Sequence, residues 1–192
     1  MNKNINKTTR LTFMGVMLAL TVIFVFATVL PSFAVSIALV LFLPTLLTGI
    51  IYGPTSGAIM GACAGAATLL RALFFPLSPF DYFFINPLVS VLPRIFIGVV
   101  AYYVFALLRD KLKANHIISV AIGASMGTLT NTVLVVGMLY LVNGEIMVEA
   151  MGMGFIVGLG TLFLANGIIE IVATAIVVPI VYETYTRYLK TK

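Results

Sequence analysis

Long apolar runs follow one another along this chain, and no other feature constrains its fold as strongly. Six stand out, at about 9–30, 34–52, 55–75, 87–110, 116–141 and 159–187, each bounded by a proline, a glycine or charge. About 20 apolar residues is the length a helix needs to cross a hydrocarbon core. A transmembrane barrel would instead show alternating segments of about ten residues, and these runs do not alternate. With 61% hydrophobic and 9% charged residues, the chain lies far from soluble domains, which carry roughly 25% charge. The pattern predicts an all-α membrane protein, a bundle of six transmembrane helices with residues 1–192 as a single integral membrane domain. Linkers and low-complexity tracts are absent.

Lys3, Lys7 and Arg10 before an apolar stretch resemble the start of a signal peptide. The run Leu11 to Leu30 is longer than the usual apolar core of such a peptide, so it reads as the first span. Basic residues exceed acidic ones, 11 to 6, but they sit at span ends and so mark topology rather than nucleic acid. Lys3, Lys7 and Arg10 precede span one. Arg109, Lys111 and Lys113 separate spans four and five, and Arg187, Lys190 and Lys192 follow span six. With six spans all three clusters fall on one side, cytoplasmic by the positive-inside rule, and so do both termini. The other side carries Asp81, Glu145 and Glu149. Arg71 and Arg94 are the basic residues this scheme does not use.

Glycines 49, 53, 57, 61 and 65 recur at every fourth position, with Pro54 turning the chain among them. Gly57, Gly61 and Gly65 share a face of span three, and Gly123 and Gly127 a face of span five. Both read first as internal packing faces, where small residues let helices approach closely. Gly15 and Ala19 form a similar pair on span one, near its cytoplasmic end, where a helix of another protein has room to dock.

Away from the span ends, where Arg10, Arg109, Asp110, His116, Glu183 and Arg187 lie, few strongly polar residues remain inside the spans: Arg71, Arg94, Asn131, Asn166 and Glu170. At about 1.5 Å per residue, all five fall in the outer half of the bundle. Asn166 and Glu170, four apart, share one helix face. An intramembrane charge costs at least about 2.5–3.5 kcal/mol, so Arg94 must face a partner or a cavity. Two readings follow. In one, Arg94 pairs with Glu170 and fixes helix register. In the other, the cluster lines an outward-facing pocket for an anionic or strongly polar ligand. Arginine donates two parallel hydrogen bonds to a carboxylate, and asparagine both donates and accepts. Phe74, Phe75, Phe80, Tyr82, Phe83 and Phe84 lie in or near the outer loop and are candidates to cover a ligand, although aromatics also anchor membrane interfaces. Pro93, beside Arg94, should kink span four.

Several chemistries find no support. There is no Walker A motif, hence no P-loop for ATP. His116 is the only histidine and lies at the cytoplasmic end, which removes a Ser–His or Cys–His pair near the polar cluster and a paired-histidine zinc site. Cys63 is the only cysteine, so no internal disulfide forms. No aspartate lies within a span except Asp110 at the very end of span four, and no internal repeat of the kind seen in secondary transporters is evident. The expectation is a non-enzyme that needs no cofactor or metal.

The combination of six short spans, no ATPase motif, a basic lead into "GVMLAL" and the stretch "FDYFFINPLVSVLPRIFIG" (residues 80–98) resembles the substrate-binding S component of energy-coupling factor vitamin transporters. The resemblance covers essentially the whole chain. Residues 80–98 are most similar to members assigned to pantothenate, and to related members assigned to hydroxymethylpyrimidine or pyridoxine-like vitamins. It implies a bacterial cell-membrane protein that captures a vitamin outside. Its partners would be a transmembrane coupling subunit and two cytoplasmic ATPases, and the S component would topple to release its cargo. The family's Ala-xxx-Ala docking motif is here Gly15-xxx-Ala19. Pantothenate carries a carboxylate, an amide and two hydroxyls, which Arg94, Asn131 and Asn166 match chemically. Glu170, Arg71, Phe74 and Tyr82 complete the candidate binding set. Rivals are a scaffold membrane protein held by an Arg94–Glu170 pair, and a small proton-coupled transporter relaying through Glu170.

Overall fold

The computed structural model describes the backbone of residues 7–28 and 37–191, with side chains chiefly over 7–28, 41–142 and 166–189. The described residues contain helices and no strand. They form α1 (Lys7–Ala27), α2 (Ile37–Tyr52), α3 (Pro54–Phe74), a 3-10 segment (Pro79–Ile85), the one-turn α4 (Pro87–Ser90), α5 (Leu92–Ala106), a π-helical turn (Leu107–Lys111) and α6 (His116–Thr191). Phe80, in the loop after α3, has a side chain outside the described set.

Five segments are long and apolar enough to cross a membrane: Lys7–Ala27, Pro54–Phe74, Pro87–Lys111, His116–Val142 and Asn166–Leu189. A shorter apolar helix, Leu41–Tyr52, accompanies them. The two last segments are arms of α6. A straight helix of its length would run to about 114 Å. The contacts of its ends forbid that: His116 Nε2 lies 2.8 Å from the Tyr182 hydroxyl, and the Thr128 and Thr174 hydroxyls are 3.1 Å apart. The chain therefore doubles back between Val142 and Asn166, and the arms pack side by side.

The short α2 runs through the centre. Its Leu46, Leu47 and Ile50 are buried against Ile97, Ala101 and Phe105 of α5 and Val120, Ala124, Val178 and Tyr182 of α6. A smaller cluster of Val89, Val135 and Leu139 closes the end beside the 3-10 segment, with Phe83 and Phe84 against it. Gly53 is the sole residue between α2 and α3. Its φ of 97° lies in the left-handed region that favours glycine, and Pro54 starts the next helix with φ already set.

The glycine face of α3 is spent inside the molecule. A Cβ on Gly57 would stand 2.9 Å from the Gly98 Cα, one on Gly65 2.8 Å from the Ser90 carbonyl, and one on Gly61 would overlap the Arg94 carbonyl. The glycines of the first α6 arm likewise meet α5, Gly123 against the Ala101 carbonyl at 2.8 Å and Gly127 against that of Ile97 at 2.7 Å. α3 is thus pressed backbone to backbone onto the segment that carries Arg94. Gly61→Leu is expected to cost about 3 kcal/mol, because the obstacle is main chain that cannot rotate away. A loss of thermal midpoint and of monodisperse protein in detergent would report it. Gly15→Ala should leave both unchanged, since nothing lies within 4 Å of that position.

Candidate functional site

The polar site begins with an interruption in the chain. The sequence reading expects Pro93 to kink span four, and the apolar segment Pro87–Lys111 is interrupted at Val91, two residues before it. α4 ends at Ser90 and α5 starts at Leu92, so Pro93 falls in the first turn of α5, where its fixed φ suits a helix start. Asn86 starts the preceding turn by accepting from the Leu88 amide at 2.9 Å. Having no N–H, Pro93 leaves the Val89 carbonyl without the donor that would come from four residues on. Arg94 Nη1 donates to that carbonyl instead, at 2.9 Å. The guanidinium also lies 5.7 Å from the centre of the Phe84 ring, within cation–π range. Two contacts from its own neighbourhood therefore aim Arg94.

They aim it into a cavity of about 200 Å³ between the two apolar clusters. Arg94, Asn131, Asn166 and Glu170 all line it, with Thr45, Thr68 and Thr132 as further polar members and Phe42 and Phe84 among its apolar walls. Asn131 is 5% exposed and comes from the first arm of α6. Asn166 and Glu170 come from the second arm, Thr45 from α2 and Thr68 from α3. Four separate elements thus converge on a volume smaller than a drug-sized pocket. Among the described residues no direct ion pair joins Arg94 to Glu170.

The structure does not bring the rest of the candidate set to this cavity. Arg71 pairs with Asp81, and the same carboxylate accepts from the Leu77 amide at 2.7 Å and the Ser78 amide at 3.2 Å. Burial opposes ionisation of Asp81, but the Arg71 guanidinium and these two amides outweigh it and hold the carboxyl below its ordinary value. Arg71 thereby ties the end of α3 to the loop that presents Phe84. Phe74 and Tyr82 point outward, 65% and 62% exposed, and do not line the cavity. Gly15 and Ala19 lie on an exposed face of α1 that continues through Leu11, Val22, Ile23 and Phe26.

Sequence reasoning missed Thr45. Its hydroxyl is buried and has no protein partner among the described residues, and the same holds for Asn131 Oδ1. The only sequence signal was a threonine beside Pro44 in "LPTLLTG", and threonines are ordinary in membrane helices.

Comparison with known proteins gives the family. The family described as "ECF transporter, substrate-specific component" matches residues 9–182. The chain is also similar to the pantothenic acid transporter PanT of Lactococcus lactis subsp. cremoris (strain MG1363), 28% identical in a 159-residue alignment covering 72% of this chain and 74% of that one. A family match spanning nearly the whole chain agrees with the resemblance read from residues 80–98 and with several membrane-length helices around one polar cavity. The chain belongs to the ECF transporter substrate-specific component family.

Proposed function

We propose that this chain captures pantothenate from outside the bacterial cell membrane and delivers it to an ATP-driven importer. The observation that carries the reading is the convergence of Arg94, Asn131, Asn166 and Glu170 on one small cavity. Arg94 would hold the vitamin's carboxylate through its planar fork. The two asparagines would meet its amide and hydroxyls, and Glu170 would accept from an N–H or O–H of the ligand. The similarity to a transporter named for pantothenic acid supports that choice. A neutral pyrimidine offers Arg94 no anionic partner.

On this reading the chain is one membrane domain of six spans, with α2 as the second and both termini cytoplasmic. The positive residues at 109–113 and beyond 187 then face the ATPases. The coupling subunit docks on α1 at Gly15 and Ala19, and two cytoplasmic ATPases supply the energy. Toppling of the whole bundle carries the loaded cavity from one side to the other.

Thermal unfolding and isothermal titration of the detergent-purified chain test the reading. Pantothenate should raise the midpoint and titrate with a single site, and mass spectrometry of the small molecule that copurifies should find it. A response to hydroxymethylpyrimidine or pyridoxine with none to pantothenate would reassign the substrate.

A further inference from the structure

Most hydroxyls in these helices are spent on their own backbone. Thr21, Thr68, Thr128, Thr130, Thr132, Thr174 and Thr184 each donate to the carbonyl four residues earlier. Two of them, Thr68 and Thr132, line the cavity and offer it mainly their methyl groups and whatever accepting capacity remains. Thr45 behaves differently. It is 1% exposed, lines the cavity and makes no such bond. Across the same cavity Asn131, 5% exposed, holds Oδ1 without a protein donor among the described residues. A buried polar atom left this way costs about 1–3 kcal/mol, and two around one small volume mark a place where something else supplies the hydrogen bonds.

The two atoms are complementary in kind. Asn131 Oδ1 accepts only, so the incoming group must carry an O–H or N–H. The Thr45 hydroxyl donates or accepts. A substrate hydroxyl meets both demands, because it donates to one while accepting from the other. A carbonyl or carboxylate cannot, since it has nothing to give Asn131 Oδ1. Arg94, which suits the carboxylate, leaves this role to the other polar walls of the cavity.

We propose that Thr45 and Asn131 form the hydroxyl-recognition element of the cavity, with Thr45 as a specificity-determining residue that selects hydroxylated substrates. This rests on the pantothenate reading, whose diol end would occupy the element while its carboxylate meets Arg94.

The test is Thr45→Val, which keeps the shape and removes only the hydroxyl. If Thr45 merely packs, the substitution relieves a buried unpaired group, so the free protein is as stable or more so and binding is unchanged. If Thr45 reads the substrate, stability is kept or gained while the dissociation constant for pantothenate rises about 5- to 100-fold. Thr45→Ser should retain most of the affinity. Thr48→Val is the control, because Thr48 Oγ1 is also buried without a protein partner among the described residues but does not line the cavity; its affinity should match the parent. An analogue of pantothenate lacking both hydroxyls should bind the parent weakly and Thr45→Val no more weakly still. Equal affinity of the parent and Thr45→Val for pantothenate overturns the inference and leaves the vitamin assignment standing. Absence of pantothenate binding by the parent chain overturns both.

Discussion

Arg94→Ala is expected to raise the dissociation constant for pantothenate by roughly thirty- to several-thousand-fold, corresponding to about 2–5 kcal/mol for truncating one member of a desolvated charge pair. The guanidinium is aimed into the cavity by the Val89 carbonyl and the Phe84 ring, and among the described residues its charge interacts with that of Glu170 across the cavity without forming a direct ion pair. Arg94→Lys should recover only part of the affinity, because an ammonium keeps the charge but lacks the planar fork. A purely structural arginine predicts another pattern. Arg94→Ala would then lose folding by stranding Glu170, and Arg94→Met combined with Glu170→Gln would restore both fold and binding. Titration of the purified variants decides the matter: normal affinity in the double variant removes Arg94 from the ligand site, and with it the main reason for an anionic vitamin.

The second large effect concerns assembly. Gly15→Leu or Ala19→Leu is expected to abolish copurification with the coupling subunit while leaving pantothenate titration intact. Close approach of two helices depends on small residues at the contact, and a leucine there forces the axes apart. The chain's own fold should not suffer, since a Cβ at Gly15 meets nothing within 4 Å and both Gly15 and Ala19 lie on the exposed face of α1. Gly61→Leu separates the two kinds of glycine, because it should damage folding and binding together. If the Gly15 and Ala19 variants still copurify with the partner, the docking face lies elsewhere.

The membrane-length helices were legible because hydropathy over about twenty residues leaves few alternatives. Arg94, Asn131, Asn166 and Glu170 were legible for a related reason. A polar group inside a span must find company, and four such groups at one depth find it together. Arg71 looked equivalent by the same logic and is not. Its partner Asp81 lies in a loop whose fold, set by the Leu77 and Ser78 amides, no periodicity announces. Phe74 and Tyr82 could not be told from interfacial anchors by residue type, and they lie exposed. Pro93 announced an interruption of its span, and the helix is interrupted at Val91, but that the freed Val89 carbonyl would accept from Arg94 is a side-chain choice that spacing alone does not decide. Thr45 was hidden because a threonine that bonds to its own helix and one that does not are written with the same letter.

The bond between Arg94 and the Val89 carbonyl has a consequence for how this chain enters the bilayer at all. Spans reach the lipid in the order of synthesis, and Glu170 and both asparagines are made well after Arg94. A guanidinium waiting for them would bear an insertion penalty of about 2.5–3.5 kcal/mol. Its acceptor is already at hand, freed five residues upstream by the proline beside it, and a hydrogen bond to a charged donor is worth about 1.5–3 kcal/mol. The segment 86–106 therefore carries its own counterweight into the membrane, and the arginine can be threaded in before the walls of its cavity exist.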